Sequence, residues 1–274
     1  MKIQLNKVID LTTYLVLLVL GLAIFLCSIL DHVHPSLLLP LISMTENQLP
    51  EQAIMQFGLI FVSVVVIVIQ TSIHYHRMSI YGNKFLHRLV LRMILIFAVL
   101  IGAFLSLQAV IPVPTKFNHD FQQMGIALNN EYSFVLHLAC YLLFFLNTFL
   151  HMIFSLIFVV FFEKISWKSA RVILRITCLV VFSAMFVNIL FGVFHFVFDT
   201  KNAQDPLTIQ PFNFHAFSEI ISIIIIIVYF RSFKTELKVL EVTTLADSQN
   251  QSKKKQQQQQ QKKNNRKRLT KKDK

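Results

Sequence analysis

AIMQFGLIFVSVVVIVIQTSI, residues 53–73, is an uncharged and mostly apolar stretch that is long enough to cross a lipid bilayer. An α-helix rises about 1.5 Å per residue and the hydrocarbon core is about 30 Å thick, so about 20 residues span it. Lipid offers the backbone no hydrogen-bond partner, so a spanning segment must be a helix or part of a closed barrel. The stretch lacks the alternation of a barrel strand and is too long for one, which predicts a transmembrane helix.

Five further stretches share this character and predict an all-α membrane protein, a six-helix transmembrane bundle. The composition agrees, because 15% charged residues are too few to cover the surface of a soluble domain of 274 residues. The predicted spans are residues 11–30, 53–73, 89–111, 133–162, 172–198 and 214–230. We expect a transmembrane domain over residues 1–242 and a polar tail over residues 243–274.

Lysine and arginine are distributed unevenly across the predicted membrane. If the six spans alternate in direction, all but two of these residues, Lys116 and Lys201, fall on one side. Positive residues favour the cytosolic side, so both termini are predicted to be cytosolic and three loops to face the lumen or exterior. Arg77 follows the second span on the cytosolic side, where we expect it to reach lipid headgroups.

The C-terminal segment, residues 243–274, combines a run of glutamines with many lysines and arginines. Low hydrophobicity and high like charge predict disorder. The tail could simply reinforce topology, or bind anionic lipids such as phosphoinositides, each base near the membrane adding about 1 kcal/mol. Lys271-Lys272 also fits a di-lysine retrieval signal for the endoplasmic reticulum. A nucleic-acid partner is not predicted for a six-span protein.

Polar side chains inside the spans are functional candidates, because removing them from water is costly. Glu219 is the only acidic residue within a predicted span, and His215, four residues earlier, shares its helical face. His137 and His195 lie near the outer ends of spans four and five, and Ser218 precedes Glu219. Three interpretations remain open: an interhelical hydrogen-bond network, a pH sensor and a metal site.

The first outer loop, HVHPSLLLPLISMTENQLPE at residues 32–51, contains three prolines and no lysine or arginine. Proline removes a backbone donor and fixes φ, which suits a shaped, non-helical cover over the helix ends. No HExxH, Cys-x-x-Cys or nucleophile-elbow motif is present, so no catalytic residue, metal or cofactor is predicted.

This loop resembles the first lumenal loop of the damage-regulated autophagy modulator (DRAM) family, which opens with a His-Val-Asp-Pro-like run and closes with Pro-Glu. The positions that carry this resemblance are His32, His34, Pro35, Pro40, Ser43, Thr45, Pro50 and Glu51. Ser218-Glu219 looks like the family's start of the sixth helix, and His137 is placed similarly to a histidine of its fourth helix.

The resemblance implies a multi-pass endomembrane protein of the lysosome or vacuole. It would modulate autophagy through membrane lipids or through membrane or cytosolic protein partners, without catalysis. Two alternatives come from other branches of the wider superfamily. One is a plasma-membrane scaffold for phosphoinositide-kinase recruitment or lipid asymmetry. The other is a GPI-anchor lipid-remodelling enzyme of the endoplasmic reticulum or Golgi, which would use His32, His34, His215 and Glu219.

Overall fold

The computed structural model describes residues 5–30, 49–111, 132–198, 206–234 and 236–237. These residues form long α-helices and no strand, and six of the helices are long and apolar enough to cross a membrane. The helices are α1 (Leu5–Ile29), α2 (Glu51–Tyr81), α3 (Phe85–Val110), α4 (Tyr132–Ile157), α5 (Ala170–Phe198) and α6 (Pro206–Arg231). The predicted all-α architecture with six spans is confirmed. His32, His34, Pro35, Pro40, Ser43, Thr45 and the tail at 243–274 lie outside the described residues.

Helices α2 and α6 extend furthest beyond their predicted spans. Helix α2 continues to Tyr81, beyond the predicted end at residue 73, and α6 begins at Pro206, before residue 214. Polar side chains in the extension of α2 find partners inside the protein: the His74 Nδ1 atom lies 3.1 Å from the Leu91 carbonyl oxygen. Proline is well suited to the first turn of a helix, because its missing N–H is not needed there.

The helices form a ring in which neighbours in sequence pack against each other and α1 also contacts α6. Asp10 of α1 forms salt bridges with Arg231 and Lys234, so the first and last helices meet at one end of the bundle. We call this end, where the α2–α3 and α4–α5 links also lie, the basic end. The opposite end, where α2 begins and α3 finishes, is the far end.

Small residues allow close packing between α1, α2 and α3. A Cβ atom on Gly58 of α2 would lie 2.5 Å from Val19 Cγ1 of α1, and one on Gly102 of α3 would lie 2.6 Å from Ile67 Cδ1 of α2. The hydroxyls of Ser63 and Ser106 also form a hydrogen bond between α2 and α3. Such contacts hold membrane helices together, because apolar burial gives little net attraction between helices in lipid.

Candidate functional site

Four buried polar side chains meet between α4 and α6 near the far end, and we call them the far-end cluster: His137, Tyr141, His215 and Glu219. The His215 Nε2 atom lies 3.5 Å from Glu219 Oε1. The Tyr141 hydroxyl interacts with the Glu219 carboxylate, and the Tyr141 and His215 rings lie 6.3 Å apart between centroids. Each helix supplies two residues spaced by four, which places each pair on one helical face.

Helices α3 and α5 complete the surroundings of this cluster. The His137 Nδ1 atom lies 3.1 Å from the carbonyl oxygen of Ile111, the residue that follows α3. Gly192 of α5 packs so closely against His215 that a Cβ atom there would lie 2.4 Å from the His215 Nδ1 atom. Four helices therefore fix the positions of the cluster's side chains.

An apolar cavity of about 130 Å³ lies inside the ring and is lined by residues of α1, α2, α3, α4 and α6. We call it the bundle cavity. Glu219, Tyr141 and Gln108 line it near the far end, and Ile9 and Phe230 line it towards the basic end. The distance along α6 from Glu219 to Phe230 is about 16 Å at 1.5 Å per residue. The lining therefore extends along much of α6, and the buried polar residues Gln108, Tyr141 and Glu219 lie near the far end.

A second polar group, the arginine cluster, occupies the basic end and consists of Arg77, Glu163, Arg171, Arg175 and Glu236. Glu236 Oε2 lies 2.8 Å from Arg77 Nη2, and Glu236 Oε1 lies 2.7 Å from Arg175 Nη2. Glu163 Oε2 lies 2.7 Å from Arg171 Nη2. The cluster joins α2, the α4–α5 link, α5 and the segment after α6.

Aromatic rings and a hydroxyl provide further contacts for two of these guanidinium groups. The Arg77 Cζ atom lies 4.8 Å from the Phe158 ring centroid, and the Arg175 Cζ atom lies 4.1 Å from that of Phe233. Arg175 Nε donates to the Ser232 hydroxyl over 3.0 Å. Cation–π contacts and charge-assisted hydrogen bonds gain strength where water is excluded.

The electrostatics of the arginine cluster favour ionised Glu236. Burial alone would raise the pKa of this carboxyl, but Arg77, Arg175 and Arg171 outweigh burial and hold the pKa below its usual value. Removing one partner of a buried ion pair costs about 3–5 kcal/mol, because the other charge stays buried. The cluster therefore fixes the start of the C-terminal segment to the bundle.

A buried histidine–tyrosine pair connects α4 and α6 beside the arginine cluster. The Tyr229 hydroxyl lies 3.0 Å from His151 Nδ1. Ser155, one turn further along α4, accepts a hydrogen bond of 3.4 Å from Arg175 Nη1. The polar face of α4 therefore contacts both α5 and α6 near the basic end.

The structure brings together several of the predicted candidates. His137, His215 and Glu219 lie in the far-end cluster, and Ser218 is buried on α6 beside it. Glu51 is buried at the first position of α2, next to Pro50, which is exposed. His195 lies in α5, but its side chain is not among those that the structure describes. Among the described residues, no group of three or more His, Cys, Asp or Glu is arranged to hold a metal ion.

The prediction that Arg77 reaches lipid headgroups is wrong. Arg77 is only 2% exposed, because Glu163 and Glu236 neutralise it inside the bundle. The sequence contained a signal for this arrangement: these glutamates lie at the ends of spans on the otherwise basic side. Tyr141 was not among the predicted site residues, because an aromatic residue in an apolar span is typical of ordinary helix packing.

No protein-family model, curated protein or solved structure matches this chain. The functional argument therefore depends on the two clusters, the bundle cavity and the sequence resemblance.

Proposed function

We propose that the chain is a multi-pass endomembrane protein that acts by binding membrane lipids or protein partners, and not by catalysis. The observation that carries this proposal is the bundle cavity, an apolar space inside a membrane bundle with the far-end cluster at one end. Binding sites for small apolar molecules are mostly apolar, with a few polar groups that fix orientation. In a bilayer, the molecules that such a site meets most often are lipids.

The resemblance to the DRAM family supports a role in autophagy or lysosomal function for this binding. His137 and Glu219, two positions that carry the resemblance, belong to the same cluster, together with His215. Because both positions belong to the far-end cluster, they lie together at one end of the bundle cavity, where both can affect what binds there. We therefore propose the lysosome or vacuole as the compartment.

Localisation and autophagic flux test the proposal together. The full chain, tagged at its N-terminus, should co-localise with lysosomal or vacuolar markers, and its deletion should change autophagic flux. Re-expression of the wild type should restore the flux, and Glu219→Gln at equal abundance should not. Ser72→Ala is a matched control, because that exposed hydroxyl bonds to the Val68 carbonyl of its own helix. Exclusive residence at the cell surface, with unchanged flux after deletion, would contradict the proposal.

A further inference from the structure

We infer that the outer side of α5 is an interface with a second copy of the chain, in which the two Asn188 side chains form hydrogen bonds with each other. The surface, which we call the α5 face, consists of four exposed residues: Thr177, Val181, Ala184 and Asn188. Their spacing of four, three and four residues places them on one side of the helix. The proposed dimer is independent of the bundle cavity and of the compartment.

Asn188 lies on the outside of the bundle, at a depth that is inside the membrane. Its side chain is exposed, and α5 packs into the ring through α4 and α6. Helix α5 continues to Phe198, about 15 Å beyond Asn188 at 1.5 Å per residue. Arg175 of the arginine cluster lies about 20 Å from Asn188 in the other direction. Because the hydrocarbon core is about 30 Å thick, Asn188 lies within it.

The Asn188 amide forms no hydrogen bond with any residue that the structure describes. Asn147 of α4 shows what a helix alone can offer, since its Nδ2 atom donates to the Leu143 carbonyl oxygen over 2.6 Å. Such a bond satisfies the donor only, because the interior N–H groups of a helix are already bonded to its own carbonyls. The Asn188 carbonyl oxygen therefore needs a donor from another molecule, and lipid chains supply none.

A second copy of the chain supplies that donor at the right depth. Both copies insert with the same orientation, because the same distribution of lysine and arginine directs them. A two-fold axis between them is then perpendicular to the membrane, so the two α5 helices are parallel and each residue lies level with its own counterpart. An asparagine amide contains both a donor and an acceptor, so two Asn188 side chains can form two hydrogen bonds.

The residue one turn from Asn188 on the α5 face permits this approach. Ala184 is small, and small residues let the backbones of membrane helices come close together. An asparagine side chain is short, so its amide can reach a counterpart only where the helices approach closely. The α5 face therefore combines a self-complementary polar group with the room that it needs.

Counting subunits in membranes tests the interface. The full chain, labelled with one fluorophore at its N-terminus, is reconstituted in liposomes over a dilution series, and its bleaching steps are counted. The wild type should form dimers, and Asn188→Leu should lower the association constant about tenfold, since two hydrogen bonds between helices are lost. Asn188→Gln keeps an amide and should retain the dimer. Ser183→Ala is the matched control, because that hydroxyl already donates to the Leu179 carbonyl over 2.6 Å.

Cysteine cross-linking in membranes tests which side of α5 forms the interface. Ala184→Cys places a thiol on the α5 face and should give a disulfide-linked dimer when an oxidant is added. Leu190→Cys places a thiol at a position that is also exposed, but about 160° around the helix from Asn188, and should give none. Adding Asn188→Leu to Ala184→Cys should reduce the linked dimer several-fold. The wild type measures the background from its three buried cysteines.

Several results would overturn the interface. A wild type that is monomeric at every dilution, or an Asn188→Leu variant that associates as strongly as the wild type, contradicts pairing through Asn188. Equal cross-linking through Ala184→Cys and Leu190→Cys contradicts the choice of face. A monomeric chain that binds a different membrane protein through Asn188 contradicts the second copy as the partner. The melting temperature of Asn188→Leu should equal or exceed that of the wild type, which establishes that the variant is folded.

Discussion

Gly192 is the residue at which the far-end cluster leaves the least room. A Cβ atom there would lie 2.4 Å from His215 Nδ1 and 3.0 Å from His215 Cβ, so rotation of the ring alone would not relieve the clash. Overpacking of this kind costs about 1–3 kcal/mol. We therefore expect Gly192→Ala to lower the melting temperature of the protein in detergent, measured by scanning fluorimetry or light scattering.

Gly21 provides the matched control for this substitution. It also lies within a membrane helix, but a Cβ atom there would meet nothing within 4 Å. Alanine reduces the freedom of the unfolded chain, which favours the folded state by about 0.4–1 kcal/mol where it fits. Gly21→Ala should therefore leave the melting temperature unchanged or slightly higher. Equal losses in the two variants would show that the contact with His215 is not tight.

Glu236 gives the basic end a definite dependence on pH. Its pKa is lowered in the folded state, so its contribution to stability is complete above the unfolded value of about 4.3 and is lost as the pH falls through the folded value. The melting temperature should therefore show no loss from this group between pH 7 and about pH 5, and a decline at lower pH. A pH series of melting curves measures this directly.

Glu236→Gln should lower the melting temperature at pH 7 and weaken its decline in acid. Loss of one partner from a buried ion pair costs about 3–5 kcal/mol, and Arg77 and Arg175 each lose a contact of 2.8 or 2.7 Å. Arg88→Gln, which removes an exposed charge at the same end of the bundle, is the control and should have little effect. If the melting temperature declined identically below pH 5 in Glu236→Gln and in the wild type, Glu236 would not be the group that causes the decline.

At the level of single residues, helical spacing predicted one contact of the site and missed others. His215 and Glu219 are four apart on one helix, so their pairing followed from the sequence. Tyr141 and Gln108 belong to other helices, and their positions depend on how α3 and α4 are rotated against α6. A single sequence gives no measure of that rotation.

At the level of elements, α4 ends in a π-helical turn, Phe158–Phe162, in which the Glu163 N–H donates to the Phe158 carbonyl over 3.0 Å. This i→i+5 turn contains one residue more than an α-helical turn. The residues after the turn therefore have the same positions that a regular helix without the extra residue would give them. Deletion of Phe161, which is 63% exposed, should therefore restore a regular helix and retain the contacts of Glu163. We expect only a modest loss of melting temperature.

Deletion of Leu146 is the corresponding control in the regular part of α4, at an exposed position. It would rotate one side of the helix by about 100° relative to the other, since a turn holds 3.6 residues. The contact of His151 with Tyr229 and that of Ser155 with Arg175 would then be lost. A much larger loss than in the Phe161 deletion is expected. If the two deletions lowered the melting temperature by similar amounts, the π turn would not contain an extra residue that the helix can lose.

The sequence predicted the number and type of the elements better than their ends. Hydropathy identified all six spans because each must match the thickness of the bilayer. It missed the continuation of α2 to Tyr81, because the polar residues there are stabilised by protein contacts that hydropathy does not register. Arg77 is the clearest case: its charge predicted a position at the surface, but two glutamates from distant parts of the chain hold it inside.

At the level of the whole molecule, the ring of helices separates two polar clusters by an apolar interior. Helix α6 carries His215 and Glu219 of the far-end cluster, and Glu236 of the arginine cluster lies in the segment that follows it. Helix α4 carries His137 and Tyr141 of the far-end cluster, and its Ser155 contacts Arg175 of the arginine cluster. A ligand in the bundle cavity would contact α6 between the clusters. Helix α6 therefore connects the cavity lining physically to Glu236, at the start of the C-terminal segment.

The orientation of the bundle remains a prediction that follows from charge, and two exposed positions test it. Ser166 lies in the α4–α5 link at the basic end and Leu49 lies just before α2 at the far end. Since lysine and arginine favour the cytosolic side, Ser166→Cys should react with a membrane-impermeant maleimide after the plasma membrane alone is permeabilised. Leu49→Cys should react only after detergent opens every compartment.

The native cysteines should contribute little background labelling, because Cys27, Cys140 and Cys178 are all buried. The wild type should therefore give little labelling under the first condition and serves as the background control. The opposite pattern, with Leu49→Cys labelled first, would place both termini in the lumen. It would also place the far-end cluster on the cytosolic side, and the acidity of a lysosomal or vacuolar lumen would then act on the arginine cluster, where low pH protonates Glu236. The predicted orientation instead keeps Glu236 at cytosolic pH, well above its lowered pKa, so Glu236 stays ionised in every compartment that the protein visits.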